Sequence, residues 1–299
     1  MDIRQLQFLI ALDETRHFGQ AAERCHVTQP SLSMRLRQLE EQLGLTLVIR
    51  DQRFHDFTPE GKRILAWARS IMQAHDGLLA EAAACRGQLI GTLRLGMVPL
   101  AGFNPARLLA LWRSAHPELR LQLTTLSSEQ IIDQLASNQI DLGLCYLSKI
   151  DATSFDSQIL ATPVMGLLYA PEHISPPGPP LTWQAVASLP LGLLSTGMHF
   201  RQAVDQALRS RGLTARLVVE SDAVQQLLHS VRFGLCASVV PQDSELLASN
   251  PDLAWSAISE HSPLAPIGLV IRRQQPASVV AQTCFDAARP LALAATGEP

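Results

Sequence analysis

Apolar positions recur at helical spacing three times within the first 45 residues. Residues 3–13 set Leu6, Leu9, Ile10 and Asp13 at that spacing, with Leu12 beside them. Residues 18–25 set Phe18, Ala21, Ala22 and Cys25 at i, i+3, i+4 and i+7. Beyond Thr28, one stripe holds Leu32, Leu36, Leu39 and Leu43. The Thr28 hydroxyl can accept an orphan backbone N–H, and Pro30 then falls in the first turn, where a missing N–H costs nothing. The opposite face carries Pro30, Ser33, Met34 and Arg37, flanked by Gln29 and Ser31. A helix buried on one face, joined by a short connection (His26–Val27) to the helix before it, is the helix-turn-helix arrangement, and its N-terminal face suits a major groove. The plainer alternative is the solvated face of a helical bundle. Residues 46–61 then read as strand, turn, strand, which makes a wing with Arg50 and Arg53 near its tip. Those arginines could meet phosphate or the minor groove, or simply sit on a solvated turn.

Thr58 and Pro59 restart a helix that the pattern carries to about Arg86, with Gly87 as its C′ glycine. Ile64, Ala68, Ile71, His75, Leu78, Ala82 and Cys85 alternate spacings of four and three, a heptad seam. A helix of this size would be roughly 42 Å long, more than one small domain covers, so the seam is expected to contact a second copy. Packing on its own domain is the alternative. From residue 91 the pattern alternates strand and helix. Strands are expected at 91–98, 120–126 and 140–147, with helices at 103–116 and 128–137. A second series follows Thr162, with strands near 164–170, 190–195, 215–220 and 235–240 and helices near 199–211 and 222–233. A strand at 253–258, another at 267–273 and a helix over 277–294 close the chain. Such alternation implies α/β layers with largely parallel sheets. No internal sequence repeat is visible.

Composition narrows the classes. Of 299 residues, 47% are hydrophobic and 17% charged, enough for packed cores and a prior for two domains. Net charge is −3, and residues 1–63 hold nine Lys/Arg against nine Asp/Glu, so nucleic-acid binding there must come from local placement of charge. The five cysteines (Cys25, Cys85, Cys145, Cys236, Cys284) are scattered in apolar contexts without a CxxC, which reads as reduced, buried residues rather than disulfides or metal ligands; a redox sensor is an open alternative that the spacing does not support. The nine histidines show no HExxH or HxxxH pair, so no metal is expected, and no cofactor motif is present. The N-terminal stretch lacks a signal-peptide core, and no run of about 18 apolar residues exists. A cytoplasmic protein without a membrane partner is expected.

At this point the sequence resembles the LysR-type transcriptional regulators over essentially its full length. The residues that carry the resemblance are F-x-x-A-A-E-R-x-H-V-T-Q-P-S-L-S (Phe18–Ser33), R-Q-L-E-x-x-L-G (Arg37–Gly44), L-T-L-V-I-R (Leu45–Arg50) and T-P-E-G (Thr58–Gly61). The remainder is similar, more weakly, to the family's periplasmic-binding-protein-like effector domain. The resemblance implies a winged helix-turn-helix at 1–58, a linker and dimerisation helix at 59–87, and an effector domain at 91–299. Subdomain I would be 91–161 plus 267–294 and subdomain II 164–264, with crossovers near Ala161–Pro163 and Ala265–Ile267. It implies a homodimer or dimer of dimers (a homotetramer) on an inverted-repeat promoter site in double-stranded DNA. It also implies a small effector between the subdomains and RNA polymerase as a partner.

By the same resemblance Gln29, Pro30, Ser33 and Arg37 reach base edges or nearby phosphates. Where many members carry Arg after the second Ser, this chain has Met34, which offers only apolar contact, for example to a thymine methyl. Its cation is one place later, at Arg35, on the flank toward the leucine stripe, where a phosphate contact is expected. His55 of the wing stands near where cations are frequent. Family clefts use strand-end loops, here Val98–Phe103, Leu126–Glu129, Cys145–Leu147, Ser195–Arg201 and Glu220–Ala223. The effector residues expected are Pro99, Leu100, Ser127, Ser128, Leu147, Thr196, His199, Phe200 and Arg201. His199 and Arg201 open a helix, where backbone N–H groups favour an anion, so a small carboxylate is one expectation. An internal ion pair at Arg201 is the other. The competing class, an enzyme or a solute-binding protein on the same α/β frame, lacks a visible nucleophile, metal or phosphate motif and a signal peptide.

Overall fold

The structure, a computed structural model, describes residues 1–50, 53–99, 102–176, 178–260 and 264–296; the side chains of Arg50, Lys149, Ser244, Glu245 and residues 293–296 are also outside that description. The chain forms two compact units. One is Met1–Gly91 with the short segments Ala136–Gln139 and Pro276–Val279, and the other is the remainder.

In the first unit, α1 (Ile3–Thr15) starts with a capping box between Asp2 and Gln5. Helix α2 (Phe18–Arg24) follows, then α3 (Gln29–Leu43), whose first turn is capped by Thr28 with Pro30 inside it, as the sequence predicts. The turn between α2 and α3 is tight because His26 sits at φ +55°. Val27 N–H donates to Ala22 O and His26 N–H to Glu23 O, the two bonds of a Schellman motif. Leu32, Leu36 and Leu39 of α3 pack with Leu6, Leu9 and Leu12 of α1 and with Phe18, Ala21 and Ala22 of α2 in one core. The wing is an antiparallel pair, β1 (Val48–Arg50) and β2 (Phe54–Phe57), with a register shift between Ile49 and Arg50. Val48 and Phe57 enter the core.

Helix α4 (Pro59–Ala84) begins at Thr58, whose hydroxyl accepts the Gly61 N–H at 2.8 Å. Its heptad seam needs correction. Ala68 is fully buried and Ile64 is packed against the core of the same unit, so these two cannot meet a second copy. The exposed apolar positions are Trp67, Ile71, Leu78 and Leu79, with Ala74, Ala82 and Cys85 also exposed. The stripe that faces outward is therefore Trp67, Ile71, Ala74, Leu78, Ala82 and Cys85, rotated away from the expected seam over the first half of the helix.

The second unit opens with β3 (Gly91–Met97), α5 (Ala106–Ala115), β4 (Leu119–Thr125), α6 (Ser128–Ala136), β5 (Leu142–Tyr146) and β6 (Phe155–Ala161). Then come β7 (Met165–Tyr169), α7 (Trp183–Ser188), β8 (Pro190–Leu194), α8 (His199–Arg209), β9 (Arg216–Ser221) and α9 (Val224–Arg232). The chain ends with β10 (Ser238–Pro241), α10 (Ser244–Ala248), β11 (Ala254–Ala257), β12 (Ile267–Arg272), α11 (Val279–Ala287) and α12 (Arg289–Thr296). One sheet has the order β4-β3-β5-β12-β6. The strands of the other half order as β10-β7-β11 and β8-β9, joined where Leu191 bridges Ala237. Through that bridge the second layer reads β9-β8-β10-β7-β11, the same plan as the first.

The sheets are mixed rather than largely parallel. β3 with β5 and β8 with β9 are parallel, whereas β12 runs antiparallel to β5 and β6, and β7 antiparallel to β10 and β11. The reason is topological. β12 comes late in the chain to lie in the first sheet, and β7 leads the second series, so each is entered from a crossover rather than from a βαβ turn. The final helix is two: Ala288 breaks it, and Pro290, which has no N–H to donate, sits in the first turn of α12. Trp112 of α5 is fully buried and donates its indole N–H to Cys284 O at 2.8 Å, tying the helix to the C-terminal segment.

Candidate functional site

The exposed side of α3 is built by what the opposite side buries. With Leu32, Leu36 and Leu39 turned inward, Gln29, Pro30, Met34, Arg35 and Arg37 are exposed, and Ser31 and Ser33 are half-buried. Met34 is 52% exposed, an apolar side chain held in water at the centre of this face. Among the described residues Arg37 has no ion-pair partner, whereas Arg35 lies 3.5 Å from Asp2. That pair is open to water on both sides and contributes little, so it does not commit the guanidinium. On the wing, Arg53 is exposed and unpaired among the described residues. The Arg50 side chain lies outside the described residues.

One contact ties the wing to α3 and another ties it to α4. The Glu40 carboxylate, on α3, accepts the Leu47 and Val48 N–H groups at 2.9 and 3.1 Å. The Gly61 position lies against Leu47, so close that a Cβ there would stand 2.1 Å from its carbonyl oxygen. Helix face and hairpin thus lie together, presenting small, polar and cationic groups around Met34.

In the second unit, Pro99, Ser127, His199 and Phe200 come together with Val98, Tyr146, Leu194 and Met198 around a narrow pocket. Its free space of about 10 Å³ is room for roughly one water. His199 stacks on Tyr146, ring centroids 4.5 Å apart and planes at 28°. Burial holds the Tyr146 hydroxyl in its neutral form by raising its pKa. On the other side of Val98 and Pro99 lies a wider cavity of about 370 Å³, walled by Phe103, Asn104, Val224, Gln225, Leu228 and Leu246. A further cavity of about 300 Å³ opens at the crossover residues Ala161–Val164. Sequence reasoning missed α9 and α10 as walls. Their residues carry no motif, and only the folded chain brings Gln225 opposite Pro99.

The other expected residues are placed differently. Ser128 is buried, and its hydroxyl has no hydrogen-bond partner among the described residues. Thr196 is exposed and does not line the pocket. Leu147 packs over Gly268, where a Cβ would come within 2.7 Å of it. Leu100 lies outside the described residues. Arg201 is the informative case. It is 8% exposed, and its guanidinium donates to Asp205 at 2.9 Å, to Glu220 at 2.8 Å and to Leu194 O at 2.7 Å. Burial disfavours its charge, but the hydrogen bonds with Asp205 and Glu220 outweigh it and raise its pKa. Of the two expectations for Arg201, the geometry is that of the internal ion pair.

Among the described residues no helix is long and apolar enough to cross a membrane, and no group of His, Cys, Asp or Glu is arranged to hold a metal.

Comparison with known proteins agrees with these two constructions. Residues 3–62 match the family described as bacterial regulatory helix-turn-helix protein, lysR family, and residues 86–292 match the LysR substrate binding domain. The chain is 27% identical over 276 residues to the uncharacterized HTH-type transcriptional regulator YnfL of Escherichia coli K12, covering 90% of this chain and 92% of that protein. It is 32% identical over 171 residues to the hydrogen peroxide-inducible genes activator of Dickeya chrysanthemi, which covers 56% of each. The crystal structure of full-length CbnR with its target DNA shares the fold at a TM-score of 0.67, 20% identity and coverage of 97% and 99%. These relatives are transcriptional regulators, not enzymes. With both domain matches spanning nearly the whole chain, this protein belongs to the LysR family of DNA-binding transcriptional regulators with an effector-binding domain.

Proposed function

We propose that the protein binds an inverted-repeat promoter site as a homodimer or a dimer of dimers, reading bases with the α3 face. Gln29, Pro30, Ser31, Ser33, Met34 and Arg37 are the base-reading group. Arg35, Arg50 and Arg53 are phosphate contacts. The single observation that carries this is a helix whose buried leucine stripe leaves small and hydrogen-bonding side chains, one free cation and Met34 facing outward beside a pinned wing. Net charge near zero in this region means that affinity rests on those few groups. The exposed α4 stripe from Trp67 to Cys85 is the self-contact. RNA polymerase is the partner that a promoter-bound regulator acts on, and the cytoplasm is where the DNA lies.

The effector is proposed to enter at Val98–Pro99, which borders both the closed His199 pocket and the wider cavity toward Gln225. The closed pocket must widen to admit anything larger than water, so occupancy and the separation of its walls are coupled. Pro99, Ser127, His199 and Phe200 are the proposed contacts, with Leu100, Ser128, Leu147 and Thr196 nearby in sequence. Arg201 supports the walls rather than binding an anion.

Thiol sensing, which the name of the peroxide-inducible relative raises, is disfavoured at the three buried cysteines; Cys85, contrary to the expectation of burial, is exposed on α4, and Cys25 is half-buried. Burial pushes the Cys145 and Cys284 thiols up to about 12 and Cys236 to about 11, and the reactive species is the thiolate. Selection from a random duplex library by the full-length protein tests the central reading. It predicts an enriched inverted repeat, and enrichment of no sequence would overturn it.

A further inference from the structure

Five charged side chains close the base of the wing: Asp13, Arg16, Asp56, Lys62 and Arg69. Asp56, on β2, accepts from Arg16 at the end of α1 and from Lys62 in the first turn of α4, each at 2.8 Å. These bonds, Lys62 first, hold the Asp56 carboxyl far below the usual carboxylate range. Arg16 in turn lies over the rings of Phe54 and Phe57, 5.5 and 5.9 Å from their centroids, and 3.7 Å from Asp13, which also pairs with Arg69.

We propose that Asp56 is a positioning residue for DNA recognition: through Arg16 and Lys62 it clamps the wing to α1 and α4 and so fixes the hairpin beside α3. The need for a clamp follows from the hairpin itself. Strands of three and four residues with a register shift between them are marginal alone. Val48 and Phe57 anchor one side in the core, and Glu40 holds the β1 end. Phe54 packs edge-on against Phe18 of α2, and Asp56 adds a charged link from β2 to two further elements, α1 and α4. Single exposed ion pairs contribute little, but a shared carboxylate whose partner is also seated on two rings is a network.

The proposal rests on the DNA-reading account and makes a prediction of opposite sign to simple electrostatics. Asp56 is a negative charge near a polyanion, so its removal alone should tighten binding to every duplex. A clamp predicts weaker binding to the specific site, because wing contacts lose their register, while binding to a scrambled duplex holds or rises.

The test uses full-length Asp56→Asn and Asp56→Glu, with Lys62→Gln removing one arm alone. Hydrogen exchange without DNA should show the amides of β1 and β2 in the Asn variant exchanging about threefold or more faster, with those of α1–α3 unchanged. On the duplex selected by the wild type, affinity should fall by a similar factor, and the Glu variant should lie nearer the wild type. Unchanged wing exchange, or specific and scrambled affinities rising together, would overturn the clamp. If the wild type selects no sequence, the DNA-reading account fails, and the exchange measurement still decides the clamp.

Discussion

Gly61 lies directly against the Leu47 carbonyl, where a Cβ would stand 2.1 Å from the oxygen. Thr58 explains why the approach is so close. Its hydroxyl donates to Thr46 O at 2.7 Å, and its N–H donates to Leu47 O at 2.9 Å, so the start of α4 is stitched to the strand it faces. The T-P-E-G motif is therefore a packing device: cap, first-turn proline, and the one residue without a side chain where backbone meets backbone. Gly61→Ala is expected to destabilise the first unit by about 1–3 kcal/mol, since backbone on both sides cannot yield cheaply. Urea unfolding of the first unit measures it, and a loss below a few tenths would show that the contact relaxes.

His26 holds the left-handed position of the Schellman motif that joins α2 to α3. A side chain there costs roughly 1–2 kcal/mol relative to glycine. His26→Gly should raise the unfolding midpoint, by a free energy of up to about 1 kcal/mol after the added unfolded-state entropy is counted. No gain would mean that the imidazole makes a compensating contact.

These two positions also show what a sequence discloses. Caps, first-turn prolines and the leucine stripe are local, and the helix-turn-helix, the exposed face of α3 and the start of α4 were legible from them. The strand Phe155–Ala161 was not. Its pattern, F-D-S-Q-I-L-A, alternates poorly, and its structure is imposed by pairing with Ile267–Arg272 more than a hundred residues away. Strand direction is hidden for the same reason. The α4 seam was half legible: spacing locates an apolar stripe, but only packing shows that Ala68 is spent on the chain's own core. Of the residues that line the pockets beside Val98 and Pro99, Ser127, His199 and Phe200 lie at strand ends that the sequence marks, while nothing local marks Gln225 and Leu246.

Arg201→Ala should lower the stability of the second unit by about 1–3 kcal/mol, less than for a fully buried pair because Asp205 and Glu220 retain access to water. The wild type and the variant should respond alike to a panel of small carboxylates in thermal-shift measurements. A carboxylate that stabilises only the wild type would restore Arg201 as an anion-binding residue.

On α4, Leu78 is 69% exposed in the outward stripe. Leu78→Glu places a charge in the proposed self-contact and should shift the protein toward monomer in sedimentation, with little effect on unfolding of the monomer. Ala68→Glu, by contrast, buries a charge in the core of the first unit and should unfold it. Equal assembly of wild type and Leu78→Glu would place the self-contact elsewhere.

The most direct measurement is footprinting of the purified protein on the DNA upstream of its own gene across a salt series. The expected result is a protected region with inverted-repeat symmetry, whose half-site falls in affinity by about 1–3 kcal/mol when the bases facing Gln29 or Ser33 are changed. Arg53→Ala should weaken all duplexes alike and lower the salt slope by about one. Weak protection that ignores sequence and vanishes with modest salt would contradict the account and leave the α3 face as a solvated surface.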